Sequence, residues 1–320
     1  MSRICACGGA GCRCSACEKT PQTLSDLGSL TSIETLDHGL ETLALVGTQF
    51  DDALITTRND GALVSGRGGY AALQRRDSPW RLSRKRVTVR VDQDRTVRLA
   101  RSAATQAGLP GSLVVADGAG AILHRIQYVS DHDRHIAACL EAKAGPQVEI
   151  ADTAEPADNV LSLTVIRKAR TSWDGADTGA HLNDLLDTDC GRRRRQCLPH
   201  IGKDRAWPIV GEVMPSFLYY LCEHAVRYVP LVPSMGLLQA SMTSIDHVML
   251  RQNTLVASGR GGLFSLDLKA VGSTWVVASG PNWQIEFYGA DQRAVAVIIV
   301  DPTADTAHWR ALLSSLPRAA

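Results

Sequence analysis

The sequence has no run of 18 or more apolar residues in its 320 positions, and no apolar signal-peptide core. It therefore offers no membrane-spanning helix, and the expectation is a cytoplasmic protein that is not membrane-embedded. It has no excess of charge of either sign. Lys and Arg total 34, Asp and Glu total 33, and the net charge is +1. That balance excludes a globally basic nucleic-acid binder and an acidic disordered chain. Aromatic residues are scarce at 5%, so bases of a single strand would find few stacking platforms. The patterns G-x-x-x-x-G-K-[ST], G-x-S-x-G and H-E-x-x-H are all missing, so P-loop, nucleophile-elbow and zincin chemistry have no support. The Gly66–Gly69 and Gly259–Gly262 stretches lack dinucleotide-binding spacing and read as turns.

What is present is a composition able to fold, with 45% hydrophobic and 21% charged residues. The length suits two ordinary domains. Cysteine is distributed unevenly. Of nine, five (Cys5, Cys7, Cys12, Cys14, Cys17) fall in the first 17 residues, interleaved with glycine. Thiolates at C-x-C and C-x-x-C spacing can surround zinc or another thiophilic metal. The same arm also reads as flexible chain with no specific role.

Between about 27 and 143 the pattern is that of a folded unit. Apolar segments flank Asn59-Asp60-Gly61 and Asp117–Gly120, both hairpin signals, and a helix is expected from His132 to Lys143. The stretch 146–160 is rich in Pro, Ala and acidic residues and reads as a linker. Beyond it, helices are expected near His181–Leu186, Phe217–Tyr228 and Thr306–Leu316, with six strands between Val229 and Val300. Asp117 precedes His135 by the same interval that separates Asp291 from Trp309, and Ala137 and Ala311 keep the register. The expectation is a tandem repeat of α+β class, each repeat an antiparallel sheet with flanking helices. The boundaries are an arm at 1–25, a first repeat at 26–145, a linker at 146–160 and a second repeat at 161–320.

Two features could carry chemistry. The run Arg192–Arg195 suits carboxylates or phosphates, and equally a solvated helix face. His181 precedes that run by about three helical turns; a neutral imidazole can ligate iron while nearby arginines neutralise acids on the same ligand.

Thr57-Arg58-Asn59-Asp60, with Ala62, Gly68 and Tyr70, resembles a first-repeat signature of the haemin-degrading and haem-trafficking proteins of HemS/ChuS type. The strand Val87–Arg90 is similar to another of that family's segments. So are His181–Leu198 (through His181, Leu186, Gly191, Arg194, Gln196 and Leu198), Val229–Gln239 and Leu268–Val277. Where the family pattern continues with basic residues after Trp-Val-Val, this chain has Ala278-Ser279-Gly280. The resemblance implies tandem repeats around one b-type haem, with His181 as the iron ligand, Arg194 on a propionate and Arg90 near the haem. It further implies a carrier in haem-iron acquisition, monomeric or homodimeric, with a haem transporter or haem oxygenase as partner and no nucleic acid. A haem-degrading enzyme, and a diverged non-haem protein that serves as a scaffold or binds metal through its cysteine arm, stand as alternatives.

Overall fold

The computed structural model describes residues 23–36, 39–71, 74–76, 78–83, 85–92, 97–104, 108–142, 161–187, 189–242, 244–280 and 282–319. The cysteine arm and the linker expected at 146–160 lie outside the described residues.

The chain up to 142 forms α1 (Leu24–Gly28), β1 (Ile33–Thr35), α2 (Leu40–Gly47), β2 (Leu54–Arg58), β3 (Ala62–Arg67), β4 (Gln74–Arg75), β5 (Thr88–Val91), β6 (Arg98–Ser102), β7 (Ser112–Ala116), β8 (Ile122–Gln127) and α3 (Asp131–Ala138). From 161 it forms α4 (Leu163–Ser172), α5 (Thr178–Asn183), α6 (Arg192–Ile201), β9 (Ala206–Ile209), α7 (Met214–Glu223), β10 (Tyr228–Ser234) and β11 (Leu237–Ala240). There follow β12 (His247–Arg251), β13 (Thr254–Gly259), β14 (Gly262–Asp267), β15 (Ser273–Ser279), β16 (Asn282–Tyr288), β17 (Ala294–Val300) and α8 (Thr306–Ser314).

The class is α+β, with antiparallel ladders throughout the described strands except for β4 beside β5. Neither sheet belongs to one half of the sequence. The nine-stranded sheet runs β1-β6-β7-β8-β2-β3-β14-β13-β12, and the eight-stranded sheet runs β4-β5-β11-β10-β17-β16-β15-β9. The halves are welded at β3–β14 and β5–β11.

The resemblance motif lies on this seam. Asn59 Oδ1 accepts from the amides of Gly61 (3.0 Å) and Ala62 (2.8 Å), closing the hairpin, while its Nδ2 donates to the carbonyls of Pro233 and Val295, both at 2.8 Å. Thr57 Oγ1 donates to Gln239 Oε1 at 2.8 Å, and Gln239 Nε2 donates to the Ile55 carbonyl at 3.1 Å. These residues hold two sheets in register, which accounts for polar side chains inside an apolar region.

Local chemistry sets the helix ends. Ser130 and Asp133 form a capping box for α3. The helix expected from Phe217 to Tyr228 stops at Glu223, because Ala225 takes a left-handed φ of 50° and Tyr228 begins β10. The hairpin of β12 and β13 has no counterpart among the expected strands, since β12 is a largely exposed edge strand without apolar alternation.

Three large apolar clusters fill the interior, beside a small one of Leu27, Val114 and Ile122. One joins α2, through Leu40 and Leu43, to Phe50, Val89, Leu113 and Leu237. A second packs Phe217 of α7 and Trp309 of α8 against Val276, Ile285 and Ile298, the two rings meeting edge-on at 5.9 Å. The third lies beneath α5 and α6 and contains Leu182, Leu186, Leu198, Leu238, Trp275 and Val297. The chemistry-bearing side chains sit over this third cluster.

A buried histidine and arginine cluster

Asp177 caps α5 by accepting from the Ala180 amide at 2.7 Å, which points His181 into the interior, where it is buried. On α6, Gly191 turns the chain with φ 80°, and Asp189 accepts from the amides of Gly191 and Arg193, both at 3.1 Å. The arginine run is thereby split. Arg194 faces inward. Arg195 lies over Trp275 at 4.5 Å and donates to Ser273 Oγ at 3.0 Å. Arg192 donates to the Asp291 carbonyl, and Arg193 is exposed.

Arg194 binds three groups at once. Its Nη2 and Nε donate to Glu286 at 2.7 and 3.1 Å, and its Nη1 donates to His181 Nδ1 at 3.1 Å and to Asp184 Oδ2 at 3.3 Å. Glu286 also accepts from Gln284 Nε2 and the Tyr288 hydroxyl. The side chains of Arg194 and Glu286 are 1% and 0% exposed, so this is a fully desolvated ion pair. Burial alone would raise the Glu286 carboxyl; Arg194, Tyr288 and Gln284 overcome it and hold it below the usual carboxylate range.

Guanidinium cannot accept a hydrogen bond, so Nδ1 of His181 is the acceptor and the ring proton sits on Nε2. Nε2 donates to Ser279 Oγ (2.7 Å) and faces the Trp173 carbonyl (3.2 Å), to which Ser279 itself donates at 2.7 Å. Burial, aided by the charge of Arg194, pushes the imidazole down to about 4, so it is neutral near pH 7. Ser279 and His181 do not constitute a nucleophile and base, because the serine proton points away from the imidazole and the nitrogen facing the serine already carries hydrogen.

Trp173, at the C-terminal end of α4, closes the cluster. Its ring meets His181 edge-on at 4.7 Å and lies over the Arg194 guanidinium at 4.8 Å, and its Nε1 donates to the Ala278 carbonyl at 2.9 Å. Helix α4 itself contains no fully buried residue, and Leu163 is 80% exposed.

Arg90 reaches the same region from β5. Its Nε donates to Asn183 Oδ1 at 2.9 Å, and its Nη2 donates to the carbonyls of Arg76 (2.6 Å) and Ser78 (3.0 Å). Thus His181 and Arg194 are in direct contact, and Arg90 grips α5 two residues beyond His181. The sequence reading missed Trp173, Ser279, Glu286 and Tyr288. A legible signal existed for two of them: Gln284, Glu286 and Tyr288 alternate with apolar residues along β16, placing three polar groups on one face.

A second buried histidine lies in the seam. Tyr70 Oη is 2.6 Å from His124 Nε2, and His124 Nδ1 is 2.6 Å from Thr57 Oγ1. Because Thr57 gives its proton to Gln239, the chain is polarised one way, from Tyr70 through His124 and Thr57 to Gln239 and the Ile55 carbonyl. Burial pushes His124 down to about 3.

Among the described residues no group of three or more His, Cys, Asp or Glu is placed to hold a metal ion. No described helix is long and apolar enough to cross a membrane.

No protein-family model and no curated protein matches this chain. Solved structures match it along nearly its whole length. Holo-PhuS, a haem-binding protein from Pseudomonas aeruginosa, superposes with a TM-score of 0.73 at 15% identity, covering 92% of this chain and 89% of that one. ChuS from Escherichia coli O157:H7, described as a haem-degrading enzyme, superposes with a TM-score of 0.72 at 13% identity, covering 89% and 87%. The chain therefore has the fold of these proteins.

Proposed function

From this shared fold we propose that the chain is a haem-binding protein acting as a haem carrier, with His181 as the iron ligand and Arg194 as the partner of a haem carboxylate. The observation that supports this most is the direct contact of a neutral buried imidazole and a buried guanidinium, thirteen positions apart, in a full-length fold of the PhuS and ChuS kind. The proposed organisation remains an arm to 25, units at 26–145 and 161–320, and a linker between them.

The donor types fit haem. A neutral imidazole suits iron, and a guanidinium pairs bidentately with a carboxylate. Their present engagement sets the condition for binding. Nε2 of His181 carries a proton and faces Ser279 and the Trp173 carbonyl, while Arg194 is paired with Glu286. His181 must release Nε2 and Arg194 must exchange one carboxylate for another, and both changes require Trp173 to withdraw. When bound, haem supplies the iron and its redox chemistry.

Titration of the purified protein with haemin tests the reading. A Soret shift is expected in the wild type and a displaced or absent shift in His181→Ala; an unshifted wild-type spectrum rejects haem binding, and an unchanged His181→Ala spectrum rejects the ligand. An electron donor added to the complex separates carrier from enzyme, since loss of the Soret band with a biliverdin-like product rejects the pure carrier.

Trp173→Ala is expected to take up haemin faster. Removing about 1.4 kcal/mol of ring contacts raises the open population about tenfold. Stopped-flow absorbance measures this, and a rate equal to wild type rejects Trp173 as the closure. For the arm, metal content is expected to fall on deleting residues 1–20, and equal zinc or iron in both forms rejects a metal role for Cys5, Cys7, Cys12, Cys14 and Cys17.

A further inference from the structure

The eight-stranded sheet has two faces, and only one of them carries His181. Along β15, Trp275 and Val277 pack into the cluster beneath α5 and α6, while Val276 and Ala278 pack into the cluster with α7 and α8. Strand alternation puts Thr274 on the second side. There, where β9 leads into α7, lies a cavity of about 420 Å³. Its apolar walls are Ile209, Met214, Leu268, Val271 and Phe287, and Ala319 borders it. The wall at Ala319 is fixed by pairing with the edge of the sheet. The Val210 amide donates to the Pro317 carbonyl and the Ala319 amide to the Pro208 carbonyl, both at 3.0 Å.

Three polar groups of this lining lack partners. Thr274 is 3% exposed, and its Oγ1 has no hydrogen-bond partner among the described residues. A Cβ on Gly211 would lie 3.4 Å from that oxygen, so the two residues are neighbours. Gly211 opens the one-turn 3-10 helix Gly211–Val213 that runs into α7. No side chain caps this start, and the amides of Gly211 and Glu212 donate to no acceptor among the described residues. Gly211, Glu212 and Thr274 all line the cavity.

Donors so placed call for an acceptor. The charge of that acceptor follows from the lining. It contains no cation, and its one ionisable side chain is that of Glu212. A carboxylate would therefore meet a like charge, and an ammonium would bring further donors to donors. Water could satisfy the amides and the hydroxyl but gains nothing from the apolar walls, whereas an apolar body displaces it favourably. The volume is that of an ordinary small-molecule site.

We propose that this cavity binds a small apolar molecule carrying one uncharged acceptor oxygen, a ketone or ester carbonyl, with Thr274 and the amides of Gly211 and Glu212 as its donors. The site lies across the sheet from His181 and is independent of the haem reading.

Titration of the full, 15N-labelled chain tests it, read by amide resonances, with three probes of one chain length: heptan-2-one, heptanoate and heptylamine. Heptan-2-one is expected to shift the amides of Gly211, Glu212 and Thr274 with a dissociation constant of about 1 mM or tighter. The two charged probes are expected to bind about tenfold more weakly. Thr274→Val keeps the shape and removes the hydroxyl. It is expected to be at least as stable as wild type, since that hydroxyl has no partner to lose, and to bind heptan-2-one several-fold more weakly. No shift at these amides at about 10 mM ketone means that water alone serves the donors and overturns the site, whatever the variant does. Charged probes that bind as tightly as the ketone overturn the ligand class, and a Thr274→Val affinity equal to wild type overturns the role of Thr274.

Discussion

Between pH 6 and pH 4.5 the protein is expected to lose roughly 2 to 3 kcal/mol of stability per pH unit, or roughly 3 to 4 kcal/mol in all, from two side chains. His124 and His181 are buried neutral, with burial as the main cause in both, and their imidazoles are pushed down to about 3 and about 4. In the unfolded chain each titrates near its ordinary value of about 6.5. Above that value neither state holds the proton and the burial carries no penalty. As the pH falls below it the unfolded chain takes up two protons that the folded chain refuses, so stability drops until the folded values are reached. Each refused proton contributes about 1.36 kcal/mol per pH unit. For a domain stable by 5–15 kcal/mol this is a large share. Urea unfolding at pH 7, 6, 5 and 4.5 measures it, and His124→Gln should halve the slope. A wild-type slope below about 1 kcal/mol per unit would show that at least one histidine becomes protonated without unfolding.

Glu286→Leu is expected to cost about 3–5 kcal/mol, because it leaves Arg194 charged, buried and without its main partner. Arg194→Met costs a similar amount for the mirror reason, stranding the carboxylate. The double variant Arg194→Met/Glu286→Leu should lose less than the sum of the two single variants, since neither charge is stranded, but it stays below wild type because Gln284, Tyr288 and His181 Nδ1 each lose a buried partner. Additive losses in the double variant would mean that the two residues contribute independently rather than as a pair. The cycle also separates stability from ligand binding. If Arg194 pairs with a haem carboxylate, haemin binds the folded double variant more weakly than wild type; equal affinity removes Arg194 from the proposed site.

Much of the architecture was legible from local signals. Asn59-Asp60-Gly61 announced the β2–β3 hairpin because an Asx-Gly pair supplies the turn geometry, and Asn59 does cap that turn with its own side chain. The closing helices expected from His132 and from Thr306 are present as α3 and α8, and the structure shows Ser130 with Asp133, and Asp305, capping their starts. The His181 and Arg194 pair was readable as a resemblance and proves to be in contact. What occupies the rest of their hydrogen bonds was not readable. Ser279 and Glu286 lie 98 and 92 positions away from the groups they bind, and Trp173 reaches the cluster from a helix with an unremarkable polar sequence.

The sequence alone determined the α+β class, the hairpins, the closing helices and the balance of charge, because periodicity, turn residues and composition act over short stretches of chain. Tertiary structure alone decided that the two halves share both sheets, that one arginine of four turns inward, and that His181 carries its proton on Nε2. Each of these depends on which distant strand supplies the facing donor, acceptor or charge, and burial then fixes the outcome, since a desolvated polar group must take whatever partner the fold brings to it.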